Sequence, residues 1–255
     1  MITAASSPAP TVDFYRNLQF AFDFFNEQLF DNALPPCLIT MRASGRQFGY
    51  HHSSRFINRN GDLIDELGLH PGFFTLRPVE EVLSTLVHEM VHHWQHGAGK
   101  PTTSNPHNRE WAQKMRDIGL EPSSTGLPDG KDSGRTVSHY IHPDGAFLRA
   151  CRQLLARGFE LQWYDRHLPR TQYDSEQRQQ ALEAAGVAVE VSPPPLEQIP
   201  APPDDKPVTY APPPRRPLDR VCYRCPGCQL KAWAKAEVEL HCGSCELEME
   251  ADEAR

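Results

Sequence analysis

The stretch from Val79 to Trp94 is apolar almost all the way round a helical wheel. Val79, Val82, Leu83, Leu86, Val87, Met90, Val91 and Trp94 leave no polar face, which predicts a helix buried on every side. It opens at Arg77-Pro78, with proline suited to a first helical turn, and Gly97 and Gly99 end it. Set into this helix is His88-Glu89-Met90-Val91-His92. Residues at i and i+4 share a face, about 6 Å apart along the axis. Two imidazoles so placed can reach one ion at Zn–N distances of about 2.1 Å. Glu89 points to another sector, close enough to hold a water on the metal but poorly placed to ligate it. A buried, unpaired glutamate between two buried histidines is costly, and a metal removes that cost. This is the H-E-x-x-H arrangement of zinc hydrolases, in which the metal acidifies water and the glutamate accepts its proton.

A catalytic zinc needs a third protein ligand. His96 lies eight residues from His88, about 12 Å along the helix, and cannot share the ion with both others. His93 is on another face. From outside the helix come His107, His139 and His142. His107 is preferred, because it falls in the first turn of the next helix and the loop through Gly97, Gly99 and Pro101 is long enough to fold back. His139, His142 or Tyr140 is left to stabilise an oxyanion, or to be a polar strand or surface residue.

The rest of the chain divides by composition. Residues 193–217 hold eleven prolines in 25 positions, which favours extended polyproline conformation and precludes a core. Residues 11–168 are mixed and can bury one. The division predicted is therefore a folded unit over 11–168, a proline-rich linker over 169–219 and a cysteine-rich tail over 220–255. In the first unit, Leu18, Phe22, Phe25 and Leu29 mark a helix over Val12–Leu29. Leu38–Phe56 reads as strand with a turn at Ser44-Gly45. Asn105-Pro106 has the grammar of a helix start, leading through Trp111, Met115 and Ile118 to Gly119. Arg178–Ala185 suits a short helix. The net charge is 26 − 33 = −7, so the chain as a whole has no attraction for nucleic acid or acidic membrane. No run approaches the roughly 18 apolar residues of a membrane span, and Met1–Pro10 shows no secretory signal. A cytoplasmic, nucleoid-compatible location is expected, with no membrane partner.

In the tail, Cys225-Pro226-Gly227-Cys228 and Cys242-Gly243-Ser244-Cys245 are two C-x-x-C knuckles joined by a segment suited to a hairpin. Four thiolates at about 2.3 Å make a closed, structural zinc site. Cys225 and Cys228 are preferred to the overlapping Cys222–Cys225 pair, with Cys222 and His241 as reserves. Cys37 and Cys151 read as small core residues. Arg215, Arg216, Arg220, Arg224, Lys231 and Lys235 precede seven acidic residues between Glu237 and Glu253. A basic hairpin carrying Tyr223 and Trp233 can contact phosphates and stack a base, or be a solvated face.

The run Thr85–His92, followed by His107-x-x-Glu110-Trp111, resembles the SprT-like zinc metallopeptidases, which include the Spartan proteases of DNA–protein crosslinks. The resemblance covers about residues 12–165 and the cysteine tail. It implies zinc on His88, His92 and His107, and Glu89 as general base. It also implies an α+β fold, a minimal zincin with a small sheet above the H-E-x-x-H helix, to which the tail adds a small β zinc ribbon. The segment near Gly49-Tyr50 becomes an edge that pairs with an extended substrate chain. Here Asn108 follows the third histidine, where the family usually has glycine. The function expected is a zinc endopeptidase with one catalytic and one structural ion, acting on protein, with the basic part of its ribbon as the candidate contact for nucleic acid. The rivals are a non-catalytic zinc protein that binds nucleic acid or a transcription complex, and a small-substrate zinc hydrolase.

Overall fold

The computed structural model describes residues 9–42, 46–165, 169, 173–195 and 221–251. They fall into two compact units, divided between Tyr210 and Ala211. The turn at Ser44-Gly45, most of the proline-rich stretch, and Arg215, Arg216, Arg220 and Glu253 lie outside the described residues.

The first unit is a mixed α+β structure. Helix α1 (Pro10–Phe30) buries Leu18, Phe22 and Phe25, as its three- and four-residue spacing predicts. Strands β1 (Leu38–Met41), β2 (Gly49–Ile57) and β3 (Leu63–Leu69) form one sheet in the order β1-β3-β2. The strand segment expected over Leu38–Phe56, with its turn at Ser44-Gly45, is two strands, β1 and β2, that do not pair with each other. β3 lies between them, parallel to β1 and antiparallel to β2. This leaves β2 at an edge. Its register with β3 slips between His52 and Phe56, where Ser54 takes a positive φ of 49° and its amide N–H donates to Asp65 Oδ1 at 2.7 Å. Such a bulge re-aims neighbouring side chains.

Helix α2 (Val79–Ala98) runs through the middle, with Val82, Leu83, Leu86, Val87, Met90 and Val91 all buried. Pro78 is the N-cap residue and Gly99 the C-cap. Helix α3 (Arg109–Asp117) starts later than Asn105-Pro106 suggested. Asn108 is its N-cap, with Oδ1 accepting from Trp111 N–H at 3.1 Å, whereas Asn105 Oδ1 is buried with no partner. His107 therefore precedes the helix instead of sitting in its first turn. Asn108 has φ −78°, an ordinary value that needs no glycine. Strands β4 (Leu120–Ser123) and β5 (Ser138–Ile141) pair antiparallel, and helix α4 (Ala146–Ala156) packs Phe147 on Phe25, ring centroids 5.6 Å apart. Cys37 and Cys151 are buried.

The segment after 168 does more than link. Helix α5 (Ser175–Ala184) is capped by Asp174, which accepts from Gln177 N–H. Arg178 reaches Glu81 Oε1 at 3.1 Å, Gly126 O at 2.9 Å and His139 O at 3.1 Å. Tyr173 OH bonds Glu81, Leu182 and Val189 are buried, and Ser192 N–H donates to Glu80. The linker expected over 169–219 is therefore too long at its start: residues 173–192 belong to the first unit.

The second unit is a three-stranded sheet in the order β7-β6-β8 (β6 Val221–Arg224, β7 Lys231–Ala234, β8 Glu250–Ala251). Among the described residues, its buried core is Tyr223, Cys225, Cys242 and Met249, with Val221, Ala232, Ala234 and Leu240 packed against it. Among the described residues, no helix is long and apolar enough to cross a membrane.

Candidate metal centres

Helix α2 presents His88 and His92 on one face, ring centroids 5.2 Å apart. His107 comes from the turn before α3, its ring 5.5 Å from His88 and 4.8 Å from His92. One donor atom from each lies within 4.8 Å of the others. Trp111, fully buried, packs against all three rings at 4.9, 5.3 and 4.6 Å. His96 is not part of this group, as the helix geometry requires, and its Nδ1 lies against Asp65 instead.

The hydrogen bonds behind the rings fix which nitrogens are free. His107 Nδ1 lies 3.1 Å from Gly134 O. A carbonyl only accepts, so Nδ1 carries the proton and Nε2 keeps its lone pair. For His88 the reasoning runs through a chain. Ser84 Oγ–H donates to Glu81 O at 2.9 Å, so Ser84 Oγ accepts from His139 Nε2–H at 2.8 Å. His139 Nδ1 is then an acceptor, and His88 Nδ1–H donates to it at 3.1 Å. His88 Nε2 is left bare. Partners of this kind hold metal-ligating imidazoles in tautomer and orientation. Burial pushes His139 down to about 3, helped by the charges of Arg77 and Arg178, and so keeps it neutral. Burial also lowers His88 and His92 well below the ordinary histidine range, and lowers His107. Neutral imidazole is the form that binds metal.

His139 thus lies neither on the surface nor free for an oxyanion, since both its ring nitrogens are engaged. Its position on β5 brings it to α2 from 51 residues away, which no local spacing reveals. Tyr140 does not line the cleft and pairs with Glu121 across the hairpin. His142 is exposed and its Nδ1 accepts from Asp144 N–H at 3.2 Å.

Glu89 is buried in the floor of a cleft of about 430 Å³ lined also by the three histidines and by Gly49, Tyr50 and His51 of β2. Burial alone pushes its carboxyl up to about 8. A Cβ at Gly49 would come within 2.9 Å of Glu89 Oε1 and of Thr85 Cγ2, so any larger residue there would push on the Glu89 side chain. The edge strand can therefore start hard against the carboxylate.

In the second unit the thiols of Cys225, Cys228, Cys242 and Cys245 lie within 4.8 Å of one another, with Cys228 Sγ and Cys242 Sγ at 3.6 Å. The two knuckles repeat one backbone pattern. Cys225 N–H donates to Leu230 O and Gln229 N–H to Cys225 O; Cys242 N–H donates to Leu247 O and Glu246 N–H to Cys242 O. Gln229 and Glu246 both take positive φ, 64° and 55°. The equivalence excludes Cys222, which sits in β6 opposite Trp233, and His241 is not part of the cluster. The N–H groups of Ser244 and Cys245, then Cys228, draw the Cys242 thiol down to about 7. Tyr223 is buried, its OH donating to Lys235 O, and so is no platform for a base, whereas Trp233 is 61% exposed.

Both donor sets suit zinc: three neutral imidazoles with an open side towards a carboxylate in one, four thiols closed on themselves in the other. A model of the SprT-like family matches residues 18–130, a span that contains the three histidines and Glu89. An uncharacterized protein in the mucB 3' region of Salmonella typhimurium is 51% identical over 59 residues, 23% of this chain and 80% of that protein. No solved structure matches. The chain belongs to the SprT-like family, whose fold is metallopeptidase-like.

Proposed function

We propose that the protein is an intracellular zinc endopeptidase of zincin type, with His88, His92 and His107 as the zinc ligands, Glu89 as general base, and a structural zinc in a Cys225–Cys228–Cys242–Cys245 ribbon. The observation that carries the reading is the buried Glu89 at the floor of an open cleft beside three converging imidazoles. A purely structural metal site, as in a non-catalytic binding protein, has no use for that carboxylate.

When bound, the catalytic ion supplies a Lewis acid, acidifies water towards a pKa of about 7 and, as a positive charge, draws Glu89 back to its ionised form. Every other contribution comes from the chain. The Glu89 carboxylate takes a proton from the nucleophile and returns it to the leaving amine. The edge strand β2 offers unpaired backbone groups to an extended substrate, placing its peptide bond over Glu89 at Gly49. Trp111 keeps water from behind the imidazoles, while His139 and Gly134 O hold their tautomers.

The substrate class proposed is unfolded or locally extended protein, including protein bound or crosslinked to DNA. Exposed Trp233 with Arg224, Lys231 and Lys235 in the ribbon supports nucleic-acid contact. The test incubates the full chain with free and DNA-bound protein substrates, with and without chelator. Glu89→Gln should cut cleavage about a thousandfold with zinc retained. Cleavage at the wild-type rate by that variant would overturn the mechanism. If DNA-bound substrate is cut no faster than free substrate, the nucleic-acid part of the reading fails.

A further inference from the structure

Beside the three-histidine site, a single carboxylate collects three further imidazoles. Asp65 Oδ2 lies 2.8 Å from His51 Nε2, 2.8 Å from His93 Nδ1 and 3.1 Å from His96 Nδ1. Its Oδ1 accepts from the bulge amide of Ser54 at 2.7 Å. His93 is committed on both sides, with Nε2 at 2.9 Å from Pro35 O, and serves as a clamp on the carboxylate. His51 Nε2, Asp65 Oδ2 and His96 Nδ1 remain, and one donor atom from each lies within 4.8 Å of the other two.

We propose that His51, Asp65 and His96 form a second transition-metal site on the wall of the cleft, for a divalent ion of the zinc class. Two imidazoles and one carboxylate are borderline donors that suit Zn²⁺, Co²⁺ or Ni²⁺, while Ca²⁺ and Mg²⁺ prefer oxygen alone. Tetrahedral donors at zinc distances stand about 3.3 Å apart, so the two pairs with Asp65, at 2.8 and 3.1 Å, open by a few tenths of an ångström, and the two imidazole nitrogens, within 4.8 Å of each other, adjust by rotation of His96. The side chain of His96, in the last turn of α2 and 38% exposed, has the freedom to do so. Ser54 holds the far oxygen Oδ1 and His93 Nδ1 shares Oδ2, so both fix the carboxylate, as partners of metal ligands do. His51 and His96 both line the cleft, which gives an ion its entry path and leaves a coordination position for water. The two sites are neighbours that share no donor: the His51 ring stacks on His92 at 6.4 Å and 11°.

The test counts metal on the full chain and does not depend on peptidase activity. Stripped protein is equilibrated with a modest excess of Zn²⁺, passed over a desalting column and analysed for zinc. In parallel it is titrated with Co²⁺ and followed by absorbance. Wild type should bind one equivalent more than a His51→Ala/His96→Ala double variant. A His51→Asn/His96→Gln protein, which keeps hydrogen-bond donors towards Asp65, should lose the same equivalent and serves if the alanine protein does not fold. The lost Co²⁺ equivalent should lack thiolate charge-transfer absorption. It should persist in His107→Ala, which separates this site from the three-histidine one. Equal metal content in wild type and the Asn/Gln variant, or loss of the equivalent in His107→Ala, would overturn the proposal.

Discussion

His139 shows how much of the centre rests on a side chain that touches no substrate. Its two nitrogens convert the hydroxyl of Ser84 into a defined tautomer of His88. Replacing it by alanine leaves His88 Nδ1–H buried without an acceptor and frees the ring to turn. Retention of the catalytic ion should weaken about ten- to a hundredfold, read by competition with a chelator, while the ribbon ion stays unaffected. His139→Asn, which offers Oδ1 to the same N–H, should recover part of the loss; equal retention in wild type and His139→Ala would contradict the assigned hydrogen-bond chain. At this scale the sequence exposed His88, Glu89 and His92 because one helical turn relates them. His107 was reachable because it is the first histidine past the end of α2 and a glycine-containing loop lets it fold back, though the helix cap beside it is Asn108, three residues after the Asn105 expected. His139 and Asp65 were not legible. Their partners on α2 lie 51 and 28 or more residues away, and only strand register brings them there.

Helices α1 and α2 were the readable elements, the first from its apolar stripe of Leu18, Phe22 and Phe25 and the second from its unbroken apolar wheel. β3 was hidden, because Asp65 and Glu66 interrupt its apolar run at the very place where it is most buried. Its acids are tolerated there because each is met: Asp65 by histidines, Glu66 by Thr40 and Tyr50 hydroxyls at 2.6 and 2.9 Å. Helix α5 gave a weak signal because it docks through one arginine and Leu182, with no apolar stripe. Burial would push Glu81 up, yet Arg77 and Arg178 hold it below its ordinary 4.5. A depressed carboxyl contributes stability that is present above about 4.5 and lost as pH falls through its folded value. Arg178→Ala should therefore lower stability by about 2 kcal/mol at neutral pH, seen as a lower urea midpoint. The gap between variant and wild type should narrow on acidification below pH 4.5, leaving the part due to the carbonyl bonds of Arg178. A gap that stays constant into strong acid would show that the Glu81 pair contributes nothing.

The two units have unequal means of holding together. The first has a large apolar core, whereas the ribbon has four core residues, two of them cysteines. On the zinc-ribbon reading proposed above, a bound metal would supply most of its folding energy. Chelation, or Cys242→Ser, should make residues 221–251 sensitive to added protease while 9–195 stay resistant; a ribbon that stays protected without metal would refute this. Proline content and cysteine spacing point to two folded units, and the structure divides into two; the tie of residues 173–192 to α2 carries no mark in the sequence beyond the helical signal at Arg178–Ala185. The tie between His107 and Gly134 reaches further than tautomer control. One of the three histidines is hung on the loop joining β4 to β5, so ion affinity and the order of residues 124–137 are thermodynamically linked, and reciprocally so. Anything that stiffens that loop slows the ion's departure, and a loaded centre shields the loop from exchange with solvent deuterium.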